Sequence, residues 1–191
     1  IVAGNLEEKP KETQIIKQLK SVLKDRAGWN EVVRSGAISG LAQLKTSAEA
    51  LDIILEYTAP GVPQALRLAA IRALGPVSTG QTPPNLERIF DRLAELARET
   101  FFLTQVAVVS ALEQMENLKA INILQSLADQ TPDGRVRRIA EEAITKVRKK
   151  AGADESINQL RKDLDKLKKE NQELRSRLEN LEAKSAKPIS E

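Results

Sequence analysis

The sequence predicts an all-α fold, an α-solenoid of about four helix pairs followed by a C-terminal coiled-coil helix. Three observations point to it. Apolar residues recur at helical spacing along most of the chain, one pattern of small and aliphatic residues returns four times, and the last stretch repeats Leu at every seventh position. No segment sustains the period-two alternation of a half-buried strand, so no strands are expected.

The elements follow in order. Residues 1–10 (IVAGNLEEKP) carry no period and read as a linker. The chain opens at Ile1 with neither a Met nor a charged-then-apolar secretory pattern, and is read as a fragment of a longer protein. Ile15, Ile16, Leu19, Val22 and Leu23 then fall on one face of a helix. AGWN at 27–30 breaks that helix and offers Asn30 as the N-cap of the next. Further polar breaks stand at 45–47, 59–63, 75–85 and 129–134. They leave helical segments at 12–25, 48–57, 85–98 and 118–128, each followed by one copy of the repeating pattern.

The copies are Val33-Arg34, Ala37, Gly40-Leu41; Leu66-Arg67, Ala70, Ala73-Leu74; Thr104-Gln105, Val108, Ala111-Leu112; and Val136-Arg137, Ala140, Ala143-Ile144. They start 33, 38 and 32 residues apart, and the longest loop precedes the most divergent copy. Ala and Gly three or four residues apart make a flat stripe against which a neighbouring helix can approach closely, with Leu or Ile filling the gap. The unit is therefore two antiparallel helices. One pair cannot bury its own apolar face, whereas three or more stacked pairs can.

Composition agrees and excludes several chemistries. Hydrophobic residues make up 41% of the 191 but aromatics only 3%, so the core is Leu, Ile, Val and Ala. With no Cys and no His, disulfides, thiolate chemistry, imidazole acid–base catalysis and the usual zinc ligands are excluded. No Gly-rich phosphate loop occurs. This fragment is accordingly expected to be non-enzymatic and to hold no metal or cofactor, and zero Cys suits a reducing, cytoplasmic setting. The net charge of +3, with 30% charged residues, describes a mixed surface, and no apolar run is long enough for a membrane span.

Residues 154–185 carry the sharpest motif. Leu160, Leu167, Leu174 and Leu181 occupy the d positions of a heptad, and Ile157, Leu164, Asn171, Leu178 and Ser185 the a positions. Leu at d with one central Asn at a specifies a parallel dimer, because paired Asn amides bond across the axis only in register. In that arrangement Asp163 faces Lys168 of a second copy, Glu170 faces Arg175, and Arg177 faces Glu182, all opposite in sign. Exposed pairs of this kind contribute about 0.5 kcal/mol each and mainly choose register. Ala151-Gly152 reads as the end of the preceding helix, with Asp154 or Ser156 capping a new one. Residues 186–191 read as a disordered tail. The rod would be on the order of 45 Å long.

The V-R-x-x-A-x-x-A-[LI] pattern at Val136, Arg137, Ala140, Ala143 and Ile144, with its copies at 33–41 and 66–74, resembles the second helix of HEAT repeats. More narrowly, residues 6–150, with KPKETQIIKQLK, AGWNEVVRSGAISGLAQLKTSAEAL and GVPQALRLAAIRALG, are similar to the C-terminal HEAT extension of bacterial zinc aminopeptidases of the aminopeptidase-N (gluzincin) family. The resemblance implies a parent enzyme that removes N-terminal residues from peptides with zinc. That family's H-E-x-x-H motif has no counterpart here, so no catalytic or zinc residue carries over, and the heptad tail lies outside the family pattern.

Function is therefore expected to be protein interaction and assembly. The partners would be a second copy through the zipper, and another protein or the parent catalytic domain through the solenoid. A free-standing HEAT adaptor resembling bilin-lyase scaffolds is one alternative, and a nucleic-acid-binding repeat is another. The candidate binding surface is Arg34, Arg67, Arg135, Arg137 and Arg138, with Lys146, Arg148, Lys149 and Lys150 nearby in sequence. The Arg residues at the repeat position could equally bond loop carbonyls and carboxylates, which is the reading favoured here. Trp29 is expected to pack in the first turn, and Phe101-Phe102 to anchor the third repeat's second helix. Single-stranded nucleic acid would need aromatic stacking groups that the chain lacks.

Overall fold

Two polar caps and a proline pair set where three of the outer helices begin. Ser47 accepts the backbone N–H of Ala50 at 3.3 Å, Asn117 accepts that of Lys119 at 2.9 Å, and Pro83-Pro84 occupy the first turn of their helix, where N–H groups have no intrahelical partner. The computed structural model describes residues 4–25, 31–115 and 117–185, with side chains described except at 4–10, 25, 151–161, 165 and 177–185. Among the described residues there are eight α-helices: α1 Gly4–Asp25, α2 Val32–Leu41, α3 Ala48–Glu56, α4 Gln64–Ser78, α5 Pro83–Ala97, α6 Phe102–Met115, α7 Leu118–Gln130 and α8 Gly134–Ser185. No strand occurs among the described residues. The chain forms two units, 1–149 and 150–191.

In the first unit the odd helices α1, α3, α5 and α7 form one layer. The even helices α2, α4, α6 and the start of α8 form the other. The four copies of the sequence pattern lie in the even layer, and their small positions are buried: Ala37, Ala70, Val108 and Ala140 at one level, Ala73, Ala111 and Ala143 at the next. Leu41, Leu74, Leu112 and Ile144 fill the core beside them. The most extensive helix–helix contact in the unit is α4 on α6. Gly75 explains the approach, since a Cβ there would lie 2.8 Å from the Ala111 carbonyl oxygen and 3.1 Å from its Cα.

Four readings of the sequence are corrected here. Residues 4–10 are the start of α1 rather than a linker, because LEEKPKE is composed of helix formers around a single Pro and needs no apolar face to be helical. Gly75-Pro76 does not end α4, which runs to Ser78, since Gly75 is required by the crossing with α6. Ala151-Gly152 does not break α8. The helical backbone continues to Ser185, as an isolated Gly among Lys and Ala costs only about 1 kcal/mol and no Pro follows. The N-cap of α2 is Glu31, in a left-handed conformation with φ 57°, and not Asn30. Asn30 and Trp29 lie outside the described residues, as does the expected tail at 186–191.

The first repeat departs from the others at the start of its pattern. Val33 is 57% exposed, whereas its counterparts Leu66, Thr104 and Val136 are buried. The left-handed turn at Glu31 places the start of α2 differently from the starts of α4, α6 and α8.

The role of Gly75 is testable by thermal unfolding. Gly75→Ala should lower stability by about 1–3 kcal/mol despite the better helix propensity of Ala, because the added carbon is overpacked against backbone. Gly36→Ala, in open space on α2, should instead raise stability by roughly 0.5–1 kcal/mol. Equal effects at the two sites would refute the close-approach account.

Candidate interaction surfaces

The sequence singles out two surfaces, an arginine column on the solenoid and a heptad face on the tail. The column has its donors largely engaged inside the fold. Arg67 donates through Nε to the Thr58 carbonyl at 2.8 Å and makes a paired hydrogen bond with the Glu99 carboxylate at 2.9 and 2.5 Å. Arg137 donates to the carbonyls of Ala128 at 3.2 Å and Thr131 at 3.3 Å. In both cases Nε meets the carbonyl nine residues back, at the end of the preceding odd helix. Arg34 bonds Glu31 at 3.0 Å, and its Nε is buried with no partner among the described residues. In the third repeat the equivalent Gln105 is buried and accepts a hydrogen bond from Thr131 Oγ1 at 3.2 Å.

Of the five arginines, Arg67 and Arg137 are therefore engaged inside the fold, where each holds its repeat's internal turn, because a planar guanidinium can satisfy loop carbonyls and, at Arg67, a carboxylate as well. Arg135 pairs with Asp133 at 2.7 Å and covers the Phe102 ring at 4.2 Å. Arg138 stands exposed, 3.7 Å from Glu142. The aromatic pair expected to anchor α6 splits. Phe102 is half-buried under Arg135, while Phe101 is 47% exposed beside a cleft of about 380 Å³ walled by Pro60, Val62 and Leu68.

These ion pairs displace ordinary titration. The Glu99 carboxyl is held below its usual range chiefly by the hydrogen bond from Arg67; burial opposes the lowering, and the charge of that guanidinium adds to it. Arg67 is raised in return. Asp133 is pulled down to about 2 by the Arg135 side chain and backbone N–H.

Sequence reasoning missed Glu99 and the charges that link successive repeats. Lys20 pairs with Glu49 at 2.5 Å, Arg88 with Asp52 at 2.7 Å, Lys119 with Glu87, and Lys146 with Glu113 at 3.0 Å. The available signal was spacing, since each pair spans about one repeat length, as Arg67–Glu99 does at 32 residues. Each exposed pair contributes roughly 0–1 kcal/mol.

On the tail, the backbone of α8 carries all the heptad positions. Ile157, Leu160, Leu178, Leu181, Arg177 and Glu182 lie in it, with side chains outside the described set. Among those described, Leu164, Leu167 and Leu174 are 52%, 64% and 63% exposed, and Asn171 is exposed between them. Lys168 and Arg175 line the same groove of about 640 Å³ as Leu164, Leu167 and Asn171. Asp163 and Glu170 are exposed at the flanking g positions.

Among the described residues no helix is long and apolar enough to cross a membrane, and no group of three or more His, Cys, Asp or Glu side chains could hold a metal. Compared with known proteins, residues 62–145 match the family of HEAT repeats. That stretch spans α4 to the start of α8 and holds three of the four copies of the small-residue pattern. The first unit is thus an all-α solenoid whose residues 62–145 are similar to HEAT repeats. No curated protein and no solved structure matches the chain.

The Arg67–Glu99 pair yields a pH prediction. A carboxyl whose pKa is lowered by folding contributes stability above its unfolded pKa, near 4.5, and loses it as the pH falls further. Glu99→Gln should lower the melting temperature at pH 7 and leave a smaller further loss between pH 5 and 3 than in the parent protein. Arg67→Met, which also strands the Thr58 carbonyl, should cost about 1–3 kcal/mol at pH 7. Parallel acid profiles for parent and Glu99→Gln would contradict the assignment.

Proposed function

We propose that this chain is a non-catalytic assembly scaffold, in which the solenoid presents a surface to other proteins and the heptad tail joins two copies of the chain. The observation that carries the reading is the row of exposed leucines on α8. Leu164, Leu167 and Leu174 leave large apolar area in water on a helix otherwise covered with charge, and burying such a side chain stabilises by about 1.5–3 kcal/mol. The match to HEAT repeats supports protein interaction as the role of the solenoid. The engaged arginines weigh against phosphate binding, because donors spent on loop carbonyls are not free for a nucleic-acid backbone.

The finer reading is that the chain is the C-terminal accessory domain of a cytoplasmic bacterial zinc aminopeptidase, limiting access of peptides to a catalytic domain that would hold the zinc. Its support is the sequence resemblance over residues 6–150. A free-standing adaptor of the bilin-lyase kind is the alternative. An upstream H-E-x-x-H segment in the same gene decides for the first, and a gene holding only helical repeats and the tail decides for the second.

Self-association is measured by sedimentation equilibrium. The chain should be a dimer at micromolar concentration, and Asn171→Ile should drift to larger assemblies, because a polar residue at a restricts the oligomer to two. A monomeric parent protein would overturn the scaffold reading at its zipper.

A further inference from the structure

The heptad face of α8 fits one pairing. We infer that its occupant is a second copy of this chain, parallel and in register, so that two solenoid units are tethered at the same end of one rod. The inference rests on the self-association proposed above and adds its direction, register and selectivity.

The groove on the described part of the tail is lined as a coiled-coil hole is. Leu164, Leu167, Lys168 and Asn171 stand at a, d, e and the next a position. Four residues in that order receive a partner's side chain at d when two helices run parallel.

Asn171 then removes the other arrangements. In a parallel pair slipped by one heptad it would face Leu164 or Leu178. In an antiparallel pair each a residue meets a d residue of its partner, and all four d positions are Leu. Either way two amides are buried against hydrocarbon with donors and acceptors unmet. Only the parallel, in-register pair sets amide against amide.

Charge complementarity gives the same answer. Parallel pairing joins Asp163 to Lys168, Glu170 to Arg175, and Arg177 to Glu182 across the seam. Antiparallel pairing sets the e column against itself. That column reads Arg161, Lys168, Arg175, Glu182, so Lys168 would meet a cation there instead of Asp163, while the g column is mixed in sign. A different protein would have to supply both the central amide and the complementary charge order, which a second copy already has. Tethered at one end, the two solenoids act at high local concentration on any partner offering two sites.

Because the chain has no Cys, single introduced cysteines report pairing cleanly. Ile157→Cys and Leu181→Cys, at the first a and the last d position, should each oxidise to a self-linked dimer. An equal mixture of the two should give no product linking 157 to 181, the a-to-d pair that antiparallel helices would bring together. Linkage of 157 to 181, or a dimer in which neither variant links to itself, would overturn this inference and leave self-association standing. A monomer by sedimentation together with no cross-link would overturn both. As a second readout, Asn171→Leu should remain associated but acquire the 157–181 product when combined with the two cysteines. Its failure to do so would refute the role given to the amide.

Discussion

How closely two even-layer helices can approach decides most of what this chain does. Helix axes come near each other only where side chains at the crossing are small, and the crossing of α4 on α6 is made by Gly75 and Ala111, with no room for one more carbon. The same columns hold Ala37, Ala70 and Ala140, and Ala73 and Ala143. Because the even helices nest, the aliphatic residues beside them, Leu41, Leu74 and Leu112, are fully buried without help from large aromatics. A core this poor in aromatic side chains is stable only if the packing is close, since dispersion contacts are lost rapidly with distance.

Polar chemistry in the solenoid serves that packing. Each turn between paired helices leaves carbonyls exposed to an apolar interior, and Arg67 and Arg137 answer them from the same repeat position. Glu99 completes the coordination of Arg67, and its lowered pKa follows from being the guanidinium's partner. The ion pairs between successive repeats lie outside this core and are individually weak. Their regular spacing still ties each unit to its neighbour, as expected of a structure in which repeats contact only the next in line. The tail uses different physics. There the described leucines, Leu164, Leu167 and Leu174, are exposed within one chain, so the tail's stability depends on what covers them.

The repeat was legible because its columns are set by volume, and volume is a property of each residue alone. The four copies at 33, 66, 104 and 136 marked the even helices, and the polar breaks marked the odd ones to within a few residues except at the start of α1. What was not legible depended on neighbours distant in sequence. Gly75-Pro76 reads locally as a helix end, yet Gly75 is held within α4 by the carbonyl of Ala111 in another helix. Glu99 looks like any surface acid until Arg67 is placed across from it. Ala151-Gly152 carries the local signs of a C-cap, but no proline or left-handed residue follows to enforce one. Residues 4–10 lack an apolar period, which is the signal for burial rather than for helicity. On the tail the reverse holds, because the heptad states both face and register in the sequence itself.

Hydrogen exchange of the backbone amides tests the nesting of the even helices most directly. If close packing at the small-residue columns is the most stable part of the fold, amides in the middle of α4 and α6 should exchange last, near the global unfolding limit, with α1 opening well before them. Uniform protection along the eight helices, or slowest exchange in the odd layer, would contradict it.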